Sequence, residues 1–175
     1  MNSCIKELSK IIQTILGSRI FDLKLLNKAR KFFYGFLLHG TIKRCGHKVS
    51  VSSEHNVVGG KIICGKQVII KNNVLLDTTG DLIIDDYVSI SDNVVVYTHT
   101  HDYIKSCKEN GYKMPVIKTS IHICEGAWIG AGSIILPSVR YIGKGSIIGA
   151  GSVVVKDVDD NTIVVGNPAK FLKNK

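Results

Sequence analysis

The chain has 175 residues, 45% hydrophobic and 21% charged, enough for one core plus an appendage. Five cysteines without a CxxC pair argue against a disulfide framework or a zinc site and for a reduced, cytosolic setting. No apolar run approaches the ~20 residues that span a bilayer, and the start MNSCIKELSK lacks the apolar stretch of a signal peptide.

The formal net charge of +9 is unevenly spread, because Met1 to Lys48 holds ten Lys/Arg against Glu7 and Asp22. This basic segment reads as two amphipathic helices separated by Gly17 and Ser18. Ile5, Leu8, Ile11, Ile12, Ile15 and Leu16 form one stripe, and Leu25, Leu26, Ala29, Phe32, Phe33, Phe36 and Leu37 the other. Residues 1–45 are therefore expected to be a helical cap or arm whose stripes cover the open end of the C-terminal domain and hold a neighbouring subunit. The competing expectation is weak contact with anionic lipid or a membrane-linked glycan, which would make a cytoplasmic protein peripheral to the inner membrane. Nucleic acid is not an expected partner, since aromatic platforms and a recognised motif are missing.

Residues 46–175 carry a period of six. Val58, Cys64, Ile70 and Leu76 are equivalent, as are Ile84, Ile90 and Val96, then Ile117, Ile123, Ile129 and Ile135, then Ile142, Ile148 and Val154. Six suits neither a helix nor simple strand alternation; it marks an all-β solenoid in which three short strands make a triangular coil of about 18 residues. The first position of each hexapeptide points inward, and the fifth, as at Val68, Val74, Val88, Val94, Thr100, Ala127, Ser133, Ser146 and Ser152, is small or β-branched to fit an inner corner.

The period breaks around Asp77–Asp81 and Arg140–Tyr141, and most widely between Val96 and Ile117, where a polar loop is expected at about 102–116. Interruptions are where a solenoid carries function, and this loop leaves directly after YTHTHD. The two histidines of that motif read as lying on opposite sides of a strand.

The segments YTHTHDY, EGAWIGAGSIILPSV, IGKGSIIGAGSVVVKDV and VVGNPAK resemble the hexapeptide-repeat acyltransferases, in particular the sugar O-acetyltransferase branch of galactoside, maltose and nodulation acetyltransferases and polysaccharide-modifying relatives. The resemblance spans about Val58 to Leu172. It implies a left-handed parallel β-helix, a homotrimer with active sites between subunits, acetyl-CoA as donor and a sugar or glycan hydroxyl as acceptor. It places the catalytic base on His101 and assigns His99 no catalytic role. Many members have proline after that histidine where this chain has Asp102, a departure that bears on subfamily.

The chemistry agrees with that assignment. A sugar hydroxyl must lose its proton as it attacks a thioester, and imidazole is the side chain suited to that task near neutral pH. The other histidines, His39, His47, His55 and His122, read as structural. Asp77 is expected one coil beneath the Tyr97–His101 strand, where it orients the imidazole or holds the acceptor; Asp81 and Asp102 are alternatives. Tyr112 and Met114 from the loop could close over the sugar. The resemblance puts the backbone of Ala131 and Ala150 on the pantetheine arm, Val155 and Lys156 near the pyrophosphate and adenine, and Lys170 as a further contact. No metal is expected, because a carbonic-anhydrase-like prism needs an HxxxxH pair and a third histidine. An amino-sugar N-acetyltransferase, a serine acetyltransferase-like enzyme and a non-catalytic binding trimer are the alternatives.

Overall fold

In a computed structural model, the described residues are 8, 10–15, 24–46, 48–53, 59–104, 111 and 114–175. Ile5, Leu16, Gly17, Ser18, His47, His55, Val58, Tyr112 and the side chains of Leu25 and Leu26 lie outside them.

The chain visits three parallel sheets in rotation. The first contains β1 (Ile42–Cys45), β4 (Val68–Ile70), β7 (Ser89–Ile90), β12 (Trp128–Ile129), β15 (Ile147–Ile148) and β17 (Thr162–Val165). The second contains β2 (Ser50–Ser52), β5 (Leu75–Asp77), β8 (Val95–Val96), β13 (Ile134–Ile135) and β16 (Val153–Val154), and the third β3 (Ile62–Cys64), β6 (Asp81–Ile84), β11 (Ser120–Ile123) and β14 (Tyr141–Ile142). Each strand pairs with its counterpart one coil away, so Ile70 faces Ile90, Leu76 faces Val96 and Ile123 faces Ile142. Burying these aliphatic columns is the main stabilising term. Cys64, Ile70, Leu76, Ile84, Ile90, Val96, Ile123, Ile129, Ile135, Ile142, Ile148 and Val154 are all buried in it.

The bends stack as well. At the corner between the first and second sheets, Asn73, Asn93, Gly132 and Gly151 all adopt positive φ, a region open to glycine and tolerated by asparagine. Asn73 donates its amide to Asn93 Oδ1 at 3.0 Å, which ties one bend to the next.

Two positions depart from the period. Ile117 is 44% exposed and lies outside the core; it sits in β10 (Val116–Lys118), which pairs antiparallel with β9 (His99–His101). Thr98, and not Thr100, is the buried threonine, since the inward alternation of Val94 and Val96 runs on past exposed Tyr97. The excursion therefore begins at Thr98 and returns at Thr119, whose N–H donates to the Thr98 carbonyl at 2.8 Å. Both backbones pass over Gly80, where a Cβ would lie 1.8 Å from the Thr119 oxygen and 2.6 Å from that of Thr98, so only glycine fits.

The coil starts before residue 46, since β1 already pairs with β4. Helix α1 (Lys24–Leu37) covers this end, with Arg30, Tyr34 and Leu38 buried and Phe33 and Leu37 packed against the core. The expected stripe is thus rotated: Ala29 is exposed, and Phe32 and Phe36 point outward at 79% and 74% exposure. In the helical turn at 10–15, Ile11 and Ile15 are exposed, as is Leu8, whereas Gln13 is buried. The Gln13 amide donates to the Val51 carbonyl at 3.3 Å and accepts from the Val51 N–H at 3.0 Å. It satisfies the outer edge of the second sheet as another strand would, which explains why a polar residue is the one buried.

The last strand, β18 (Lys170–Asn174), runs antiparallel to β17 and closes the far edge of the first sheet.

Candidate active site

Asp77 ends β5 at the point where the coil is interrupted, and it is only 4% exposed. Its Oδ1 accepts from the Thr79 N–H at 3.0 Å and the Thr79 hydroxyl at 2.6 Å. Its Oδ2 accepts from the Thr98 N–H at 2.7 Å and the Thr98 hydroxyl at 3.0 Å, and lies 2.7 Å from His99 Nδ1. Burial pushes the carboxyl upward, but hydrogen bonds from Thr79, Thr98 and His99 outweigh it and hold the group below the usual carboxylate range.

The imidazole that Asp77 orients is therefore His99. A carboxylate can only accept, so Nδ1 of His99 carries the proton in this pair. His101 is held differently: its Nδ1 lies 3.2 Å from the Met114 carbonyl, across the β9–β10 hairpin. A carbonyl also can only accept, which leaves Nε2 of a neutral His101 as the proton acceptor. The two rings stand edge-to-face with centroids 5.4 Å apart. They share one side of β9, as residues two apart in a strand must, and the expectation of opposite sides was wrong.

Met114 enters this group through its backbone, and its side chain is half exposed. Asp81 stands aside, its Oδ1 accepting the Lys61 N–H at 2.7 Å. The backbone N–H of Asp102 donates to the Pro115 carbonyl at 2.8 Å within the hairpin.

Ala131 and Ala150 stack at one bend, linked by the Gly151 N–H donating to the Ala131 carbonyl at 2.8 Å. Both are exposed. Beside them Gly130 must stay bare, since a Cβ there would lie 2.7 Å from the Ala150 nitrogen. Val155 and exposed Lys156 come after β16 at the next bend, where the Ser138 hydroxyl donates to the Val155 carbonyl at 2.9 Å. Lys170, also exposed, comes after Ala169, whose N–H donates to the Val153 carbonyl at 2.8 Å.

The His99–Asp77 pairing was not anticipated. The threonine two residues after the acid was its one visible signal, since a buried carboxylate needs donors.

No family model matches the chain. It is 35% identical over 97 residues to a galactoside O-acetyltransferase of Lactococcus lactis, an alignment covering 55% of this chain and 44% of that protein. The chain spans about half the length of the curated relatives it matches. In structure it is similar to a hexapeptide-repeat acetyltransferase of Vibrio cholerae O1 biovar eltor complexed with acetyl coenzyme A, with TM-score 0.73, 23% identity and coverage of 98% and 87% of the two chains. It is also similar to a mutant N-acyltransferase from Bacillus cereus in complex with dTDP and coenzyme A, with TM-score 0.59, 26% identity and coverage of 78% and 81%.

Proposed function

The chain is a hexapeptide-repeat protein that resembles these acyltransferases in sequence and fold, and on that footing we propose that it is an O-acetyltransferase moving acetyl from acetyl-CoA to a hydroxyl of a sugar, as on a surface-polysaccharide precursor. The observation that carries this reading is the hydrogen bond from His101 Nδ1 to the Met114 carbonyl, which turns Nε2 into a base at the mouth of the loop.

In this reading, Nε2 takes the proton of the acceptor hydroxyl as its oxygen attacks the thioester carbonyl carbon. The tetrahedral intermediate collapses with cleavage of the carbon–sulfur bond, and the proton passes from Nε2 to the CoA sulfur. A backbone N–H of the neighbouring coil stabilises the oxyanion. The buried Asp77 carboxylate, held against His99, puts negative charge behind the paired rings, where positive charge grows during the transfer. Asp77 is thus a positioning group in place of an acceptor contact.

CoA lies with its pantetheine arm along the stacked Ala131 and Ala150 bend, where exposed small side chains allow close approach to the backbone. Val155, Lys156 and Lys170 meet its nucleotide end, with the ammonium groups set against phosphate charge. The coil is left-handed and the protein a homotrimer with the acceptor between subunits, in the cytoplasm. Among the described residues no helix is long and apolar enough to cross a membrane.

A second reading, transfer to the amine of an amino sugar, is favoured by the likeness to the Bacillus cereus N-acyltransferase. Matched acceptors that differ only in carrying a hydroxyl or an amine, assayed with acetyl-CoA by release of free CoA thiol, test both. Turnover confined to amines would replace the O-transfer reading. Turnover undiminished in His101→Ala would remove the base.

A further inference from the structure

Away from the histidine pair, the third sheet gathers a second group of ligating side chains. Asp85 comes directly after β6, while His122 and Cys124 lie on and just after β11. Their donor atoms, a carboxylate oxygen, an imidazole nitrogen and the thiol sulfur, all lie within 4.8 Å of one another. Two donors of a tetrahedral zinc ion, each at about 2.0–2.3 Å from the metal, must stand roughly 3–4 Å apart, so the three atoms are within reach of one ion.

The detail at His122 is the telling one. Its Nε2 stands 2.9 Å from Asp85 Oδ2, yet this atom is buried and makes no aligned hydrogen bond. The carboxylate oxygen is close but off the line along which the ring nitrogen donates or accepts. Such atoms sit side by side, as two ligands of a common centre do. A buried polar atom without a hydrogen bond calls for an explanation, and ligation of a shared cation is one.

The surroundings are built to keep the three in place. The Asp85 N–H donates to the Ile123 carbonyl and the Cys124 N–H to the Ile142 carbonyl, each at 2.9 Å, so ligand backbones are fixed by the ladder. The Tyr141 ring stands edge-on to His122 with centroids 6.2 Å apart, and its hydroxyl donates to Asp160 Oδ1 at 2.8 Å. Cys124 is buried, and a thiolate there needs a neighbouring cation to offset its desolvation.

We infer that Asp85, His122 and Cys124 form a binding site for a divalent transition metal of the zinc type, separate from the acyl-transfer residues. Imidazole, thiolate and carboxylate together suit zinc and exclude the all-oxygen preference of calcium and magnesium. The ion's role is set by its position. Strands β6 and β11 are spatial neighbours, but the whole β9–β10 excursion lies between them in the chain. A metal bridging Asp85 to His122 and Cys124 pins the coil before the loop to the coil after it, and its binding energy becomes folding energy of the loop's roots. No step of the proposed acyl transfer passes through it.

The test uses untagged full-length protein stripped with a chelator and titrated with Zn²⁺ and then Co²⁺, without CoA. Wild type should take up about one equivalent per chain, and the Co²⁺ form should show a sulfur-to-metal charge-transfer band. Cys124→Ser should lose that band. His122→Asn and Asp85→Asn should weaken Zn²⁺ by at least about 100-fold. At a hundredfold excess over Kd, Zn²⁺ should raise the wild-type Tm by about 5–10 °C and leave folded Cys124→Ser unmoved. His101→Ala must bind as wild type does. Absence of stoichiometric binding in wild type, a band that survives Cys124→Ser, or uptake lost in His101→Ala and kept in His122→Asn would each overturn the site.

Discussion

Asp77 Oδ2 and His99 Nδ1 lie 2.7 Å apart, joining the last residue of β5 to the first strand of the loop that leaves the next coil. The pair makes the floor of the candidate active site, and His101 stands over it on the same side of β9. Their different partners assign them different work, with measurable consequences here and elsewhere in the molecule.

Replacing His101 by alanine should lower kcat by roughly 10²- to 10⁴-fold, the usual scale for a general base, with little change in CoA affinity. His99→Ala should cost much less, because its ring supports the site from behind. Steady-state kinetics on both variants decide the matter, and equal losses would show that the wrong histidine was chosen.

Asp77→Asn should destabilise the protein by about 2 kcal/mol or more, since an amide cannot accept from Thr79, Thr98 and His99 together and leaves buried donors unsatisfied. The pH dependence has a definite sign. The folded-state pKa of Asp77 lies below its unfolded value, so its ionisation contributes stability fully above about pH 4 and loses that contribution as pH falls through the lowered folded value. Thermal melts from pH 7 downward should therefore show the gap between wild type and Asp77→Asn closing only below about pH 4. A gap that widens in acid would contradict the assignment.

Lys156→Ala should raise KM for acetyl-CoA and leave kcat mostly intact, because an exposed lysine facing phosphate acts on binding and not on the reacting atoms. Added salt should weaken the wild type more than the variant. A pure kcat defect would move the donor elsewhere.

At the N-terminal end, Gln13→Ala should cost about 1–3 kcal/mol, because it strips both partners from the buried Val51 backbone. Phe32→Ser and Phe36→Ser should change the stability of an isolated chain by no more than about 0.5 kcal/mol. If those outward rings serve a membrane, wild type will co-sediment with anionic vesicles at low salt and the double variant will not. If they serve the trimer, the double variant will lower the assembled fraction in sedimentation velocity instead.

The inward columns were readable from the sequence, and so was the coil pairing that sets Leu76 against Val96. A six-residue period is a local pattern, and once three hexapeptides close a turn, every first position meets its own kind above and below. The same logic failed at Ile117, an aliphatic residue in phase with the repeat but carried outward on an antiparallel hairpin. It failed again in α1, where the buried face runs through Arg30 and Tyr34 towards Leu38 just past the helix end, and not through Phe32 and Phe36. Isolated helix periodicity reports an apolar stripe but not the tilt at which the helix meets the end of a prism.

The histidine pair shows the same division. The motif YTHTHD and the loop after it marked out the candidate site in the sequence. Which histidine meets Asp77 and which meets the Met114 carbonyl was decided by where the chain leaves the coil: Thr98 is still buried against Asp77, whereas Thr100 is exposed on the hairpin. Contacts inside a coil are set by residue spacing, whereas contacts between a coil and an excursion depend on where the chain leaves it, and only the folded backbone fixes that point.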